Sequence, residues 1–174
     1  SIFIIFEYLS FIKLDLIKCL IIMARRKREQ SRGSAGNNRK TGEDYLEKNK
    51  ATWNEKTKVH LKSDFYDMDS FKKGKNSLKG IELDLLGDVK GKTILHLQCH
   101  FGQDTISLSR LGANVTGVDL SDKAIDSAKQ IAKETGSNAK FICCDIYDLP
   151  NQLDEKFDIV FTSYGTIGWL PDLD

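Results

Sequence analysis

Apolar and polar residues alternate in regular blocks from residue 91 onward. Four short apolar runs cover residues 93–97, 115–118, 140–144 and 157–162, and each has the length and composition of a strand that is buried on both faces. Polar turns and amphipathic segments separate these runs. This alternation of strands and helices predicts an α/β fold with a doubly wound, mostly parallel sheet.

Two amphipathic segments predict the helices that connect the first three strands. The first runs from near Gln103 to Gly112. Its inward-facing residues should be Ile106, Leu108 and Leu111. The second begins after Ser121, which is a favourable N-cap, and ends at Gly136. Its apolar residues recur at helical spacing and predict one buried face: Ala124, Ile125, Ala128, Ile131 and Ala132.

An N-terminal helical segment is predicted ahead of the sheet, in residues 42–90. Residues 43–58 are rich in Glu and Lys around a few apolar anchors, which favours a helix. A second helix is predicted over residues 77–86, and Gly87 is well placed to end it. The spacing of its apolar residues predicts one buried face made of Leu78, Ile81, Leu85 and Leu86.

Aromatic and histidine residues are dense between residues 53 and 66, in an otherwise polar stretch. Two interpretations fit this density about equally well. In one, Trp53, His60 and Tyr66 form a lid above a ligand site. In the other, they only pack the helix against the rest of the domain.

The N-terminal part of the chain divides into two unlike segments. Residues 1–22 are strongly apolar but include four charges, at Glu7, Lys13, Asp15 and Lys18. These charges argue against a transmembrane anchor. We favour a natural start at Met23 over a helix that associates with a membrane. Residues 23–41 are basic and poor in apolar residues, which predicts a disordered tail that is solvated or contacts nucleic acid or an anionic lipid.

Charge and cysteine content narrow the setting of the protein. The chain has 174 residues and a net charge of +1, so its overall charge gives no drive towards nucleic acid or membranes. Its four cysteines form no Cys-x-x-Cys pair, which favours a reducing, cytoplasmic location. Several residues suggest a metal site: His96, Cys99, His100, Cys143 and Cys144. Adjacent cysteines on a strand point to opposite faces, however, and we expect no metal.

No further strand is predicted after residue 162. A doubly wound sheet normally continues past its fourth strand, because a free edge is open to pairing with other chains. The sequence therefore predicts an incomplete sheet with the first four strands only. We expect the chain to be part of a longer protein, and to be inactive or poorly folded by itself.

Two acidic residues stand at the ends of neighbouring predicted strands. Asp119 lies seventeen positions after Gly102, close to the spacing of a carboxylate that accepts hydrogen bonds from ribose hydroxyls. Asp145 ends the third strand, where a carboxylate can accept from an exocyclic amine such as that of adenine. The alternative is that each acid only caps the helix after its strand. We favour ligand binding for both.

Three motifs carry a resemblance to a known family. LHLQCHFGQDT begins at Leu95, LGANVTGVDLS begins at Leu111, and FDIVFTSYGTIGWLPDL begins at Phe157. Together they resemble a subgroup of the class I S-adenosylmethionine-dependent methyltransferases, and the likeness extends back to Trp53. It implies that residues 91–174 are a partial S-adenosylmethionine-binding domain with a Rossmann-like fold. The N-terminal helical segment ahead of this domain is the candidate lid.

The resemblance also implies a set of cofactor-binding residues. In this family the first turn holds the amino-acid part of the cofactor, the next acid holds the ribose, and the following acid approaches the adenine. Carried over residue by residue, the set is Leu97, Gln98, Cys99, His100, Gly102, Asp119, Leu120, Asp145, Ile146, Ser163, Tyr164 and Gly165. No single catalytic residue is shared by the family, so none is assigned here.

The first turn departs from the commonest family pattern. Gln98 and His100 replace two glycines, and His96 replaces the usual acid on the strand. Only Gly102 remains free to adopt φ > 0 without strain. We therefore expect the backbone at positions 98 and 100 to keep to ordinary φ/ψ regions, with side chains that point away from the cofactor or bond to it.

The sequence predicts methyl transfer from S-adenosylmethionine to an acceptor, and a small molecule is favoured. One alternative is an RNA-binding or RNA-modifying protein that uses the basic residues 24–40. The Asn-Pro-Pro-Tyr signature of some RNA-modifying relatives is replaced by Thr-Ser-Tyr-Gly after the fourth strand. A nicotinamide-dependent oxidoreductase is disfavoured because GxGxxG is absent. A membrane partner is also disfavoured.

Overall fold

The computed structural model describes residues 18–21, 42–164 and 166–170. The predicted basic tail lies outside these residues, as do most of the apolar segment and Gly165. Within the described residues, no helix combines the length and hydrophobicity needed to cross a bilayer.

Helices and strands alternate along the described chain as the apolar pattern predicts. The helices are α1 (Gly42–His60), α2 (Met68–Lys72), α3 (Gly80–Leu86), α4 (Gln103–Arg110), α5 (Asp122–Thr135) and α6 (Leu149–Gln152). The strands are β1 (Lys18–Ile21), β2 (Thr93–Leu97), β3 (Asn114–Asp119), β4 (Lys140–Cys143) and β5 (Ile159–Thr162). A 3-10 turn, Thr166–Trp169, follows β5. The sequence did not predict the short elements β1, α2 and α6.

The strands form one parallel sheet in the order β1-β5-β2-β3-β4. Leu95, near the middle of β2, pairs with Thr116 on one side and with Val160 on the other. The four predicted strands and the Rossmann-like, doubly wound arrangement are therefore confirmed. The expectation of a free edge beside β5 is wrong, because β1 pairs with that strand in parallel register.

The sheet is buried on both faces. Ile94 and Leu95 are fully buried although their side chains point to opposite sides of β2. Ile94 packs in a cluster with residues of α3 and α4, whereas Leu95 packs with Leu149 of α6 and Val160 of β5. This double burial explains why the strands are continuous apolar runs.

Helix α5 forms as its sequence predicts. The five apolar residues of its predicted face are all buried. The Ser121 hydroxyl caps the helix by accepting from the N–H of Ala124 at 3.0 Å. Gly136 ends it in the left-handed conformation, at φ 66°.

Helix α3 differs from its prediction in both start and orientation. It begins at Gly80, so Leu78 is buried in the preceding loop instead of on the helix. Ile81 is 57% exposed and Leu85 is 49% exposed, whereas Glu82 is only 1% exposed. The inward face is instead formed by Glu82, Leu83 and Leu86, and the Glu82 carboxylate accepts from the N–H of Lys79 at 3.0 Å.

The predicted inward face of α4 is also wrong at one position. Ile106 and Leu108 are fully buried, but Leu111 is 41% exposed. Leu111 is the C-cap of α4, where the backbone leaves the helix and the periodic pattern no longer applies.

Candidate functional site

The carboxyl ends of β5, β2, β3 and β4 lie side by side, because these strands are neighbours in one parallel sheet. Polar groups follow each of them: the turn of residues 98–102 after β2, Asp119 at the end of β3, Asp145 after β4, and Ser163 after β5. The fold thus brings the described members of the predicted cofactor-binding set to the edge of the sheet that the carboxyl ends of the strands form. This edge is where open α/β sheets bind their ligands.

The turn after β2 has an unusual backbone. Gln98 and His100 both have φ of 53°, and Gly102 has φ of 78°. The expectation of ordinary φ/ψ at positions 98 and 100 is therefore wrong. Both residues adopt the left-handed backbone conformation, which costs a residue with a side chain about 1 kcal/mol.

Hydrogen bonds hold this turn in place. The Cys99 N–H donates to the carbonyl of Val118 at 2.9 Å, and the Gly102 N–H donates to the carbonyl of Cys99 at 3.0 Å. The Gln98 amide donates to the carbonyl of Thr166 at 3.0 Å. The turn is therefore fixed from the β3 side and from the segment after β5.

Asp119 ties the turn to the neighbouring strand. Its Oδ2 accepts from the N–H of His100 at 2.7 Å, and its Oδ1 accepts from the N–H of Ser121 at 2.9 Å. Burial raises the pKa of the Asp119 carboxyl, against the opposing effect of these backbone hydrogen bonds. The N-cap of α5 is Ser121 and not Asp119, whose carboxylate instead joins the turn after β2 to the end of β3.

Asp145 lies in a more open environment. It is half-buried, and its Oδ1 accepts from the N–H of Tyr147 at 3.2 Å. Partial burial raises the pKa of the Asp145 carboxyl, and Asp148 adds to the effect. Leu120 and Ile146, the residues that follow the two acids, are also half-buried.

Other members of the predicted set turn their side chains elsewhere. The side chains of Leu97 and Cys99 are buried in two separate hydrophobic clusters, so the backbone is the part of each residue that faces the turn. Ser163 is buried, and its hydroxyl donates to Oδ2 of Asp104 at 3.4 Å. Tyr164 is exposed, with φ of 60°.

His100 reaches out of the turn to contact α1. Its Nε2 lies 3.0 Å from Nδ1 of His60, the last residue of that helix. Burial lowers the pKa of His100 to about 3 and also lowers the pKa of His60, so both rings are neutral at pH 7. The rings of Trp53 and Tyr66 pack edge-on around His100, with ring centroids 5.3 and 6.2 Å from it.

Helix α1 is anchored on both sides of this edge. Near its start, the Tyr45 hydroxyl and the Asn49 amide donate to the carbonyl of Trp169, the latter at 3.1 Å. Further along, the side-chain Oδ1 of Asn54 accepts from the Ser121 hydroxyl at 2.6 Å. Helix α1 therefore lies across the ends of the strands, from the segment after β5 to the start of α5.

Sequence reasoning missed a buried polar group next to the turn. Asp104, in the first turn of α4, is almost fully buried, and its Oδ1 accepts from the Ser77 hydroxyl at 2.7 Å. Burial raises the pKa of its carboxyl, and the nearby Glu82 raises it further. Acids are common in the first turn of a helix, so the position of Asp104 did not indicate that it would be buried.

The residues considered for a metal site do not gather at one point. Among the residues that the structure describes, no group of three or more histidine, cysteine or acidic side chains is placed to hold an ion. Cys99 is buried, whereas Cys143 is exposed. His60 and His100 contact each other only as a pair.

The chain is similar to known methyltransferases. Residues 94–174 match the methyltransferase domain family. The chain is 32% identical over 120 residues to an uncharacterized RNA methyltransferase of Clostridium acetobutylicum, which covers 68% of this chain and 25% of that protein. It is 39% identical over 83 residues to the ubiquinone biosynthesis O-methyltransferase of Coxiella burnetii, which covers 48% of this chain and 34% of that protein.

The chain thus spans a quarter to about a third of the length of these curated relatives. Among solved structures, it is similar to magnesium protoporphyrin IX methyltransferase from Synechocystis PCC 6803 with bound SAM. The TM-score is 0.49 and the identity is 21%, over 78% of this chain and 67% of that one.

Proposed function

We propose that the protein transfers the methyl group of S-adenosylmethionine to a small-molecule acceptor, because residues 94–174 match the methyltransferase domain family and their motifs resemble the class I S-adenosylmethionine-dependent enzymes. The observation that best supports a small-molecule acceptor is the position of α1. This helix lies over the carboxyl ends of the strands and is hydrogen-bonded on both sides of them.

The residues at this edge fit a nucleoside cofactor. Asp119 offers a buried carboxylate whose oxygens retain acceptor capacity after the two backbone hydrogen bonds. We propose that Asp119 holds the ribose and that Asp145 and Ile146 approach the adenine. We also propose that the turn of residues 97–102 holds the amino-acid part, and that residues 163–165 border the acceptor.

The cofactor, when bound, supplies an activated methyl group on a sulfonium. The chain's own contribution is to hold the acceptor in line with that group and to exclude water, which together provide most of the catalysis in such transfers. Trp53, His60 and Tyr66 form the inner surface of α1 and the loop after it beside His100. Their aromatic faces suit a site next to a cation.

A small acceptor is favoured because a macromolecule would need this edge to be open. Trp169 is joined to α1 through Tyr45 and Asn49, and its ring lies 5.2 Å from that of Trp53. These contacts close the side of the edge that lies next to β5. These contacts favour a compact acceptor over a macromolecular one.

Calorimetry on the full-length protein tests the proposal. We expect binding of S-adenosylmethionine and of S-adenosylhomocysteine, and no binding of NAD. A folded protein that binds neither sulfur compound would refute the proposal, and selective binding of NAD would instead support an oxidoreductase.

A second candidate acceptor is RNA. It is favoured by the match to an uncharacterized RNA methyltransferase and by the basic residues 24–40. Its test is RNA binding by the full-length protein and by a variant that lacks residues 24–40, at low and high salt. Salt-sensitive binding that disappears with the deletion would support the RNA acceptor over a small molecule.

A further inference from the structure

Two buried side-chain atoms lack a hydrogen-bond partner within the part of the chain that the structure describes. They are Nε2 of His96 and Nδ1 of His100. Buried polar atoms without partners are rare in folded proteins, and each needs an explanation. Both occur at the turn after β2, where this sequence departs from the commonest pattern of its family.

His100 is the more informative of the two. Its Nε2 is committed to His60 at 3.0 Å, and the rings of Trp53, Tyr66 and Phe101 surround it. The ring therefore cannot turn to give Nδ1 a partner without losing that contact. His96, by contrast, lies within the core, with its Nδ1 2.8 Å from the Thr105 hydroxyl and its ring beside Phe161.

The unpartnered Nδ1 belongs to the residue whose backbone Asp119 holds. The N–H of His100 donates to Oδ2 of Asp119 at 2.7 Å. Nδ1 belongs to the same residue and is bonded to Cγ, so it is the ring nitrogen nearer to that backbone. A ligand group that reaches the Asp119 carboxylate therefore arrives beside the residue that carries Nδ1.

The chemistry of the two groups selects the ligand atom. The ionised carboxylate of Asp119 only accepts hydrogen bonds, whereas a hydroxyl both donates and accepts. A hydroxyl that donates to Asp119 still has lone pairs that can accept from an N–H of His100. A carboxylate in the ligand would be repelled by Asp119 at this place.

We propose that Nδ1–H of His100 donates to the ribose hydroxyl of the bound cofactor that itself donates to Asp119, and that His60 fixes this tautomer by donating from Nδ1–H to Nε2 of His100. This inference rests on the proposed function. It gives the side chain at position 100 a role that glycine at the same position could not fill.

Calorimetry with three compounds tests the inference on the full-length protein. The probes are S-adenosylhomocysteine and its 2′-deoxy and 3′-deoxy analogues. The variants are His100→Gly, which suits φ of 53°, and His100→Asn, which tolerates the left-handed region and keeps an amide donor. Comparing ratios of affinity within each variant cancels any general effect on the turn, and thermal unfolding checks that each variant is folded.

In the wild type, one of the two deoxy analogues should bind at least about tenfold more weakly than S-adenosylhomocysteine, since the missing hydroxyl leaves buried groups of the protein unpaired. In His100→Gly that penalty should shrink several-fold, and in His100→Asn it should largely remain. In the bound wild type, ¹⁵N NMR should show His100 protonated at Nδ1.

Two results would overturn the inference while leaving the proposed function intact. In the first, the loss of affinity of each deoxy analogue relative to S-adenosylhomocysteine is the same within twofold in His100→Gly and in the wild type. In the second, Nδ1 of His100 is unprotonated in the complex. A folded wild-type protein that binds no S-adenosylhomocysteine would overturn both the inference and the proposed function.

Discussion

The N–H of His100 donates to the carboxylate of Asp119 at 2.7 Å, across the boundary between two neighbouring strands. This bond joins the turn after β2 to the end of β3. It fixes the turn in a conformation that two of its residues adopt only under strain, with φ of 53° at Gln98 and His100. The same carboxylate is the group that we propose for the cofactor ribose.

Asp119→Asn should weaken binding of S-adenosylhomocysteine by about 10- to 100-fold, because a charged acceptor for the ribose and for two backbone N–H groups is lost. Calorimetry measures the affinity. Asp145→Asn is the matched comparison, and its effect should be smaller since Asp145 is only half-buried. Equal affinities for the wild type and Asp119→Asn would contradict the proposed role of Asp119.

Gly102→Ala should destabilise the protein by about 2–4 kcal/mol, from left-handed strain and from a steric clash. A Cβ at this position would lie 2.6 Å from the Phe141 ring. Chemical denaturation measures the free energy of unfolding.

Gly136→Ala is the control for that measurement. Gly136 has a similar φ of 66°, but a Cβ there would meet nothing within 4 Å. Its cost should be the strain alone, about 1 kcal/mol. If the two variants lose equal stability, the close packing of Phe141 on the turn is not the cause.

Trp53→Ala should loosen α1, because the Trp53 ring packs against the rings of His100 and Trp169. We expect the amide protons of α1 to exchange at least about tenfold faster, measured by hydrogen exchange in the native state. Phe65→Ala is the control, since Phe65 is 72% exposed. No change in α1 exchange on Trp53→Ala would show that Trp53 does not anchor the helix.

The same variant separates the two interpretations of the aromatic segment. If α1 is a lid, Trp53→Ala should weaken binding of S-adenosylhomocysteine while the free energy of unfolding changes little. If the aromatic residues only pack the helix, the loss should be in stability, with the affinity of the folded protein unchanged.

Protonation of His96 should destabilise the protein in acid. Burial lowers the pKa of His96 to about 3, below its ordinary value of 6.5. Between these two values the unfolded chain binds the proton and the folded protein does not, so the contribution to stability is complete above about pH 6.5. It is lost as the pH falls towards 3, with a slope of up to about 1.4 kcal/mol per pH unit.

His96→Asn provides the comparison, because asparagine can keep a hydrogen bond to Thr105 and does not titrate. Denaturation at several pH values between 4 and 7 should give a shallower loss of stability for the variant. The raised pKa values of Asp104 and Asp119 act in both proteins and cancel in the difference. Parallel curves would mean that His96 is not buried in its neutral form.

The sequence by itself determined the elements whose signals are local. Continuous apolar runs marked β2, β3 and β5, because a strand that is covered on both faces has no polar side. A short apolar run also marked β4, the strand at one end of the sheet. Ser121 and Gly136 marked the ends of α5 through their own hydrogen bonding and backbone freedom. The ends of the strands then placed Asp119 and Asp145 at one edge.

Tertiary structure alone decided the features that depend on residues far apart in the chain. Gln98 and His100 adopt φ of 53° against their intrinsic preference, because Thr166 in the turn after β5 and Asp119 at the end of β3 hold them. The sequence of the turn alone predicted ordinary φ/ψ regions at both positions. The pairing of His100 with His60 likewise joins residues forty positions apart, and no spacing rule could indicate it.

Burial was equally a property of the packing. Ile81 is exposed and Glu82 is buried because the start of α3 and the loop ahead of it set the orientation of the helix. Asp104 became a buried carboxylate because Ser77 and Ser163, from two distant segments, meet it. Periodicity along a helix predicts that one face is covered, but contacts made elsewhere in the fold decide which face it is.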